Sequence, residues 1–249
     1  MPTPLDGANP TRPEGGAPPR VELRRFADPA ALEQALTDRL ARAIESSGGD
    51  GAPAVMLSGG HTPLPAYRAL GQRRPRPGPG LVVFYSDDRY VPSSSDASNY
   101  HQSRPLVDAL GLADEQLLRV RTELPLDQAA ADYDRKLTGL AARRQRFGLG
   151  LLGLGEDGHT ASLFNPQDIA RARGQRAISV HRPDGRDAVS VTPEVLGWMA
   201  ELVFVVAGAD KRAALAALLA ASPTLAAWQA VRERRSFEVW TEPAACPTA

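Results

Sequence analysis

A histidine and an acid lie two residues apart, close to where a buried strand is expected to end. Asp157, Gly158 and His159 closely follow the apolar run Leu149–Leu154 (LGLLGL). Imidazole is the side-chain group best suited to proton transfer near neutral pH, and the intervening glycine lets a ligand approach the backbone closely. A lone histidine more often has a structural role, but this one is better placed than most. The spacing therefore indicates that His159 activates a water molecule.

The sequence lacks the patterns of other hydrolytic centres. It contains no HExxH motif, no paired cysteines and no GxSxG motif, so neither zinc hydrolysis nor a serine nucleophile has support. Gly153, Gly155 and Gly158 match the spacing of a dinucleotide-binding loop, but residues 171–183 hold no acid to bind a ribose hydroxyl. We therefore predict neither a metal nor an organic cofactor, and a nicotinamide-dependent enzyme is only poorly supported.

A glycine-rich turn follows another apolar run, Ala54–Leu57. It consists of Gly59, Gly60, His61 and Thr62, and a proline suited to the first turn of a helix comes next. Exposed backbone amides at a helix N-terminus bind anions, although a tight turn alone would also need glycines. The turn lacks the Gly-Lys-Ser/Thr ending of a nucleotide P-loop. It therefore indicates a phosphate site that does not take ATP or GTP.

Charged residues follow two further apolar runs. Asp87, Asp88 and Arg89 come just after one run, and Lys211 opens the segment after the other. Only two of the 29 basic residues are lysines, so a lysine at this place stands out. Its ammonium suits a phosphate as a compact point charge. The alternative is that all four charges belong to a solvated surface.

The elements that must position these residues follow from the apolar runs. Short, nearly unbroken apolar runs are typical of parallel strands that are buried on both faces, and the helical patterns between them indicate an α/β protein. The carboxyl ends of parallel strands share one edge of the sheet, where open α/β folds bind ligands. We therefore expect the polar turns to converge on one site. The predicted strands are Ala54–Leu57, Leu81–Tyr85, Leu149–Leu154 and Leu202–Ala207, with a possible edge strand over Ser236–Trp240.

Helices and domain limits follow from periodicity and composition. Leucines four residues apart predict a helix over Asp28–Ser47, with Asp28 as its N-cap. Residues 1–19 are dominated by proline, glycine and small polar residues and predict a disordered tail. We expect one domain over residues 20–243 and a short tail over 244–249. Further helical patterns cover Leu126–Arg146 and Ala209–Ala221.

Bulk composition limits the partners. The 249 residues include 29 basic and 29 acidic ones, so no net charge attracts nucleic acid or a membrane surface. Cys246 is the only cysteine and cannot form an internal disulfide, and we find neither a signal-peptide pattern nor a membrane-spanning run. We expect a cytoplasmic protein, monomeric or a small homo-oligomer, that acts on a small molecule.

The polar stretches occur together in the order found in a known family. Over about residues 21–242 the chain resembles the 6-phosphogluconolactonase family, which is itself similar to glucosamine-6-phosphate deaminases. The HTASLF stretch that begins at His159 resembles the lactonase branch. His61 and Asp88 depart from the family, which usually has serine and glutamate there. The resemblance rests on LSGGHTP (Leu57–Pro63), SDDRYVP (Ser86–Pro92) with SNY (Ser98–Tyr100), LGLGEDGHTASLFNP (Leu152–Pro166) and AGADKRAAL (Ala207–Leu215).

The resemblance implies a Rossmann-like, doubly wound, mainly parallel sheet flanked by helices, as in sugar-phosphate isomerases and deaminases. It implies hydrolysis of 6-phospho-D-glucono-1,5-lactone to 6-phospho-D-gluconate, the second step of the oxidative pentose phosphate pathway. His159 would act as the general base, and Asp157 would orient its ring or stabilise its charged form.

The resemblance also implies roles for the remaining charges. Asp87 and Asp88 would hold sugar hydroxyls or position Arg89. Arg89, Lys211 and the amides of residues 59–62 would bind the phosphate or the developing oxyanion, and the sequence does not divide these roles. A glucosamine-6-phosphate deaminase or isomerase and a non-catalytic sugar-phosphate sensor are the alternatives.

Overall fold

A computed structural model describes residues 18–46 and 53–247. Within them, seven parallel strands form a central sheet and three antiparallel strands form a small second sheet. The α/β class with a mainly parallel sheet is confirmed. The strands are β1 (Arg20–Arg25), β2 (Ala54–Leu57), β3 (Val83–Tyr85), β4 (Asp87–Arg89), β5 (Leu117–Leu118), β6 (Phe147–Leu152), β7 (Ala177–His181), β8 (Asp187–Val191), β9 (Glu201–Val206) and β10 (Ser236–Thr241).

Helices cover both faces of the central sheet. Those in the first part of the chain pack with one face in one apolar core, and the later ones pack with the other face in a second core. None of the helices in the described ranges is long and apolar enough to cross a membrane. The helices are α1 (Pro29–Ile44), α2 (Leu64–Gln72), α3 (Asn99–Leu110), α4 (Leu126–Ala142), α5 (Pro166–Arg171), α6 (Pro193–Trp198), α7 (Arg212–Leu219) and α8 (Ala226–Val231).

The predicted first helix is observed with its cap. The side chain of Asp28 accepts a hydrogen bond of 2.8 Å from the amide of Ala31, and Pro29 occupies the first turn, as the sequence indicates. Leucines four residues apart bury one stripe of α1 against the sheet. The helix ends at Ile44, three residues before the predicted end.

The order of the central sheet is β1-β10-β9-β6-β2-β3-β5. The predicted strand at the end of the chain therefore exists, but β10 is not an edge strand, because β1 pairs beside it. Leu57 of β2 pairs with Tyr85 of β3, and Thr241 of β10 pairs with Val206 of β9. The register thus brings the carboxyl ends of these neighbouring strands to the same edge of the sheet.

The small sheet has the order β4-β8-β7, and sequence periodicity did not indicate it. Only Ser86 lies between the end of β3 and the start of β4, so the chain passes directly from the central sheet into the small one. β7 and β8 form a hairpin whose loop is closed by a 2.8 Å bond from the Arg182 amide to the Arg186 carbonyl. This hairpin lies beside the edge of the central sheet where the strands have their carboxyl ends.

The predicted N-terminal tail lies almost entirely outside the described residues. At the other end, we expected the domain to stop at residue 243. The packed chain continues further, because Ala245 is fully buried and the carbonyl of Ala244 accepts a 2.9 Å hydrogen bond from Arg212.

Candidate active site

The polar turns at the strand ends meet around one cavity of about 390 Å³ at the carboxyl edge of the central sheet. This is the convergence that parallel strand ends predict. A neighbouring recess of about 380 Å³ shares the imidazole wall with it. The candidate residues that line the main cavity are Gly59, Gly60, His61, Thr62, Asp87, Arg89, His159 and Lys211.

His159 and Asp157 form a close pair at the wall between the cavity and the recess. Asp157 Oδ1 lies 2.5 Å from His159 Nδ1 and also accepts a 3.1 Å bond from the backbone amide of His159. Although burial alone would raise it, the pKa of Asp157 lies below its ordinary value, because the amide and the ring of His159 stabilise the carboxylate. The pairing engages Nδ1 and leaves Nε2 for a water molecule or a substrate.

The turn around this pair depends on a glycine that touches it. The amide of Gly155 donates a 2.9 Å bond to the carbonyl of His159, which folds the turn back on itself. A methyl group on Gly155 would lie 2.1 Å from His159 Nδ1 and 2.4 Å from Asp157 Oδ1. These distances are far below van der Waals contact, so any larger residue would push the imidazole out of place.

We therefore expect Gly155→Ala to lower kcat for hydrolysis of 6-phospho-D-glucono-1,5-lactone by about tenfold or more, because a small displacement of the imidazole would be costly if His159 is the general base. The matched control is Gly153→Ala in the same turn, where the new methyl group would meet only Ser58 Oγ, at 3.9 Å. Steady-state kinetics on both variants tests the point. Equal activity of the two variants would show that the ring position does not depend on Gly155.

The glycine-rich turn presents its amides to the cavity. The hydroxyl of Tyr67 fixes the start of the turn, since it accepts a bond from the amide of Ser58 and donates one to its carbonyl. Within the described part of the chain, the amides of residues 59–62 donate no hydrogen bond. Unpaired amides next to the N-terminus of a helix are suited to binding an anion. The His61 side chain is exposed at the rim.

Alternation along β4 separates its three charged residues. Successive side chains of a strand point to opposite faces. Asp87 and Arg89 accordingly line the cavity, whereas Asp88 does not. Asp88 is buried, and its carboxylate accepts bonds from the amides of Asn99 and Tyr100 at the start of α3. Burial raises its pKa to about 6, against the effect of these bonds. The structure thus gives Asp88 a helix-capping contact and no contact with the cavity.

Asn99 connects three parts of the site and was not among the candidates. Its side-chain oxygen accepts a bond from Arg89, and its amide group donates 2.9 Å to the carbonyl of Asp87. A methyl group on Gly59 would overlap this side chain, so the glycine-rich turn packs directly against it. Its role in the cavity depends on these tertiary contacts, which local spacing does not indicate.

A second arginine that lines the cavity, Arg182, was also missed. It lies in the β7–β8 loop and lines both the cavity and the recess. Ser162 Oγ accepts a 3.2 Å bond from Arg182 and donates one of 2.7 Å to Asp87. The Pro-Asp-Gly turn at residues 183–185 is the sequence signal that would have predicted the hairpin and placed Arg182 beside the site.

Phe164 packs between the imidazole and this arginine. Its ring centre lies 4.4 Å from that of His159, and the guanidinium carbon of Arg182 lies 5.1 Å from the ring centre of Phe164. A cation over an aromatic face is attracted to it. The stack therefore fixes the distance between the candidate base and one of the cations.

Lys211 lies in the 3₁₀ turn Ala209–Lys211 and lines both the cavity and the recess. Its ammonium lies 3.0 Å from a carboxylate oxygen of Asp210, and this hydrogen bond lowers the pKa of Asp210. An exposed pair of this kind is weak and can be opened by an anionic ligand. Lys211 thus lines the cavity with Asp210 of its own turn as its charged partner among the described residues.

Gly158 is a structural member of the turn. Its φ is +84°, and a methyl group there would lie 2.1 Å from Leu225 Cδ1. Its carbonyl accepts a 2.9 Å bond from the amide of Ala227 in α8.

Among residues 18–46 and 53–247, no three His, Cys, Asp or Glu side chains are grouped so that they could hold a metal ion.

The chain is similar in sequence to proteins of known families. The family described as "Glucosamine-6-phosphate isomerases/6-phosphogluconolactonase" matches residues 27–240. A 6-phosphogluconolactonase from Synechocystis sp. is 36% identical over 203 residues, which cover 76% of this chain and 80% of that protein.

Two solved structures share the fold. The crystal structure of 6-phosphogluconolactonase from Thermotoga maritima has a TM-score of 0.72 at 24% identity, covering 90% of this chain and 100% of that one. A monomeric glucosamine-6-phosphate deaminase has a TM-score of 0.72 at 14% identity, covering 90% and 98%. The fold therefore accommodates both enzyme types. Together with the family match, these similarities show that the chain belongs to the glucosamine-6-phosphate isomerase/6-phosphogluconolactonase family.

Proposed function

We propose that this protein is a 6-phosphogluconolactonase, which hydrolyses 6-phospho-D-glucono-1,5-lactone to 6-phospho-D-gluconate in the oxidative pentose phosphate pathway. The observation that carries the proposal is the His159–Asp157 pair, which borders a cavity with cations and unpaired amides on its other walls. A lactone ester needs a base that activates water, and its phosphate needs an anion site. The identity to relatives of that name supports the same activity.

In the proposed mechanism, His159 Nε2 takes a proton from a water molecule while the water oxygen attacks the lactone carbonyl carbon. The carbonyl electrons move to its oxygen, which carries the negative charge of the tetrahedral intermediate. When the carbonyl re-forms, the bond to the ring oxygen breaks and this oxygen takes the proton back from the imidazolium. Asp157 holds the Nδ1 proton and stabilises the imidazolium between the two steps.

We assign the phosphate to Lys211 and to the amides of residues 59–62. The contacts of Lys211 and Arg89 support this division. Lys211 has only the exposed Asp210 as a charged partner among the described residues, whereas Arg89 is already bonded to Asn99 and to the carbonyl of Ala97. We assign the oxyanion to Arg182, which lies over the ring of Phe164 and is paired with the carboxylate of Asp184 in the same loop, and a sugar hydroxyl to Asp87.

We expect purified protein to hydrolyse the phosphorylated lactone well above its spontaneous rate, with kcat/KM of about 10⁴ M⁻¹ s⁻¹ or more. A coupled assay with 6-phosphogluconate dehydrogenase measures the product. Because the base is assigned to His159, activity should survive exhaustive chelation. Activity that disappears on chelation and returns with zinc would contradict this mechanism. Release of ammonia from glucosamine 6-phosphate, without lactone hydrolysis, would instead identify a deaminase.

Further properties of the protein stay predictions. A cytoplasmic location and a monomeric or small homo-oligomeric state follow from composition and resemblance. Size-exclusion chromatography with light scattering measures the oligomeric state directly.

A further inference from the structure

A buried carboxylate outside the cavity contacts the turn that carries Lys211. Glu242 follows directly after β10 at the carboxyl edge of the sheet and is 3% exposed. Its Oε1 accepts a 2.8 Å bond from the amide of Gly208, and its Oε2 accepts a 2.7 Å bond from the amide of Ala244. A buried carboxylate is costly unless hydrogen-bonded, so an acid at this position is not explained by packing alone.

The bond to Gly208 lies two residues after the end of β9, at the start of the turn Gly208–Lys211, here called the lysine turn. Gly208 has φ +99° and ψ 141°, a conformation that residues with side chains rarely adopt. Its carbonyl accepts a 3.1 Å bond from the amide of Lys211, which closes the turn. Glu242 fixes the amide on one side of Gly208, and Lys211 depends on the carbonyl on the other. The orientation of this one residue therefore sets the direction of the turn.

A second contact joins the same two segments, and the segment that carries Lys211 is again the donor. Arg212, directly after Lys211, donates a 2.9 Å bond to the carbonyl of Ala244. Ala245 is fully buried and anchors the segment after β10 in the core. The segment Glu242–Ala244 thus contacts the lysine turn on both sides of Lys211.

Among the described residues, no contact from outside the turn holds the Lys211 ammonium in place. Within the described residues its charged partner is Asp210, whose side chain is 53% exposed and belongs to the same turn. A local pair of this kind moves with the turn and does not fix it. The position of the ammonium in the cavity therefore follows the backbone of the turn.

We propose that Glu242 is a positioning residue that holds the Gly208–Lys211 turn and thereby keeps the Lys211 ammonium aimed at the substrate phosphate. This inference rests on the proposed function, because it assigns Glu242 to selection of the phosphorylated lactone over the unphosphorylated one. It assigns Glu242 no contact with the reacting atoms.

The test is Glu242→Gln, which keeps the shape but sets an NH2 group against the amide of Gly208 or of Ala244. We expect KM for 6-phosphogluconolactone to rise about three- to tenfold, the effect of one lost hydrogen bond, while kcat changes little. Hydrolysis of unphosphorylated gluconolactone should stay unchanged. Arg212→Met, which loosens the same junction from the other side, should shift KM in the same direction.

The matched control is Glu238→Gln on the same strand. Glu238 lies about 13 Å further back along β10 and pairs with Arg24 and Trp240 at a distance from the turn. It should leave KM for both lactones unchanged. If Glu238→Gln and Glu242→Gln have the same effect on KM, the inference is overturned.

A double-mutant cycle with Lys211→Met separates positioning from general stability. If Glu242 acts through Lys211, Glu242→Gln should have no further effect on KM once the lysine is gone. Additive effects, or an equal loss on both lactones, would overturn the inference. Calorimetric binding of 6-phosphogluconate is measured on the same proteins. If the wild-type protein lacks lactonase activity and Glu242→Gln binds 6-phosphogluconate more weakly than the wild type does, the proposed function is refuted and the inference stands.

Discussion

Replacing His159 with alanine should lower kcat for the phosphorylated lactone by about 10²- to 10⁴-fold, the usual contribution of a general base. KM should change little, because Lys211 and the amides to which we assign the phosphate are untouched. Stopped-flow or coupled assays measure kcat and KM, after subtraction of the spontaneous hydrolysis.

The structure offers a matched control for this variant. His181 and Asp187 form a second pair with the same 2.5 Å separation between Nδ1 and Oδ1. The His181 side chain is 87% exposed and lines neither the cavity nor the recess. His181→Ala should therefore keep the wild-type kcat. A His159→Ala enzyme with near wild-type kcat would mean that another group activates the water.

Lys211→Met should lower kcat/KM for the phosphorylated lactone by about 10- to 150-fold, equivalent to about 1.5–3 kcal/mol for a lost charge-assisted hydrogen bond. The loss should fall mainly on KM and should reduce the preference over unphosphorylated gluconolactone. Lys211→Arg should recover only part of the loss, because a planar fork does not replace a point charge. The measurement is kcat/KM on both lactones.

The only other lysine of the chain serves as the control. Lys136 lies on α4, where its ammonium is 3.0 Å from Asp132, and it does not line the cavity. Lys136→Met should leave both substrates unaffected. If Lys211→Met instead weakens both lactones by the same factor, the lysine acts on the lactone end or on the fold, and the phosphate assignment is wrong.

Apolar runs in the sequence predicted five of the seven strands of the central sheet, β10 wrongly as an edge strand, and also the edge at which the polar turns meet. Strands buried on both faces need nearly continuous apolar residues, so β2, β3, β6 and β9 stand out from their surroundings. Parallel strands end at a common edge, which is why four polar turns far apart in sequence could be predicted to converge. The order of the strands could not be predicted from these runs, because it depends on pairing between segments that are distant in sequence. β1 (RVELRR) itself was not predicted, because it has no buried residue and is rich in charge.

Which side chains meet within the site depends on contacts between distant parts of the chain. Ser162 and Asp87 are 75 residues apart, and Glu242 and Gly208 are 34 apart, so no local spacing encodes their contacts. Asp88 is adjacent to Asp87 in sequence, yet it points away from the cavity, because residues 87–89 form a strand and its side chains alternate between two faces. Local patterns indicate an element and its end, whereas the orientation of each side chain depends on the partner strand against which the element packs.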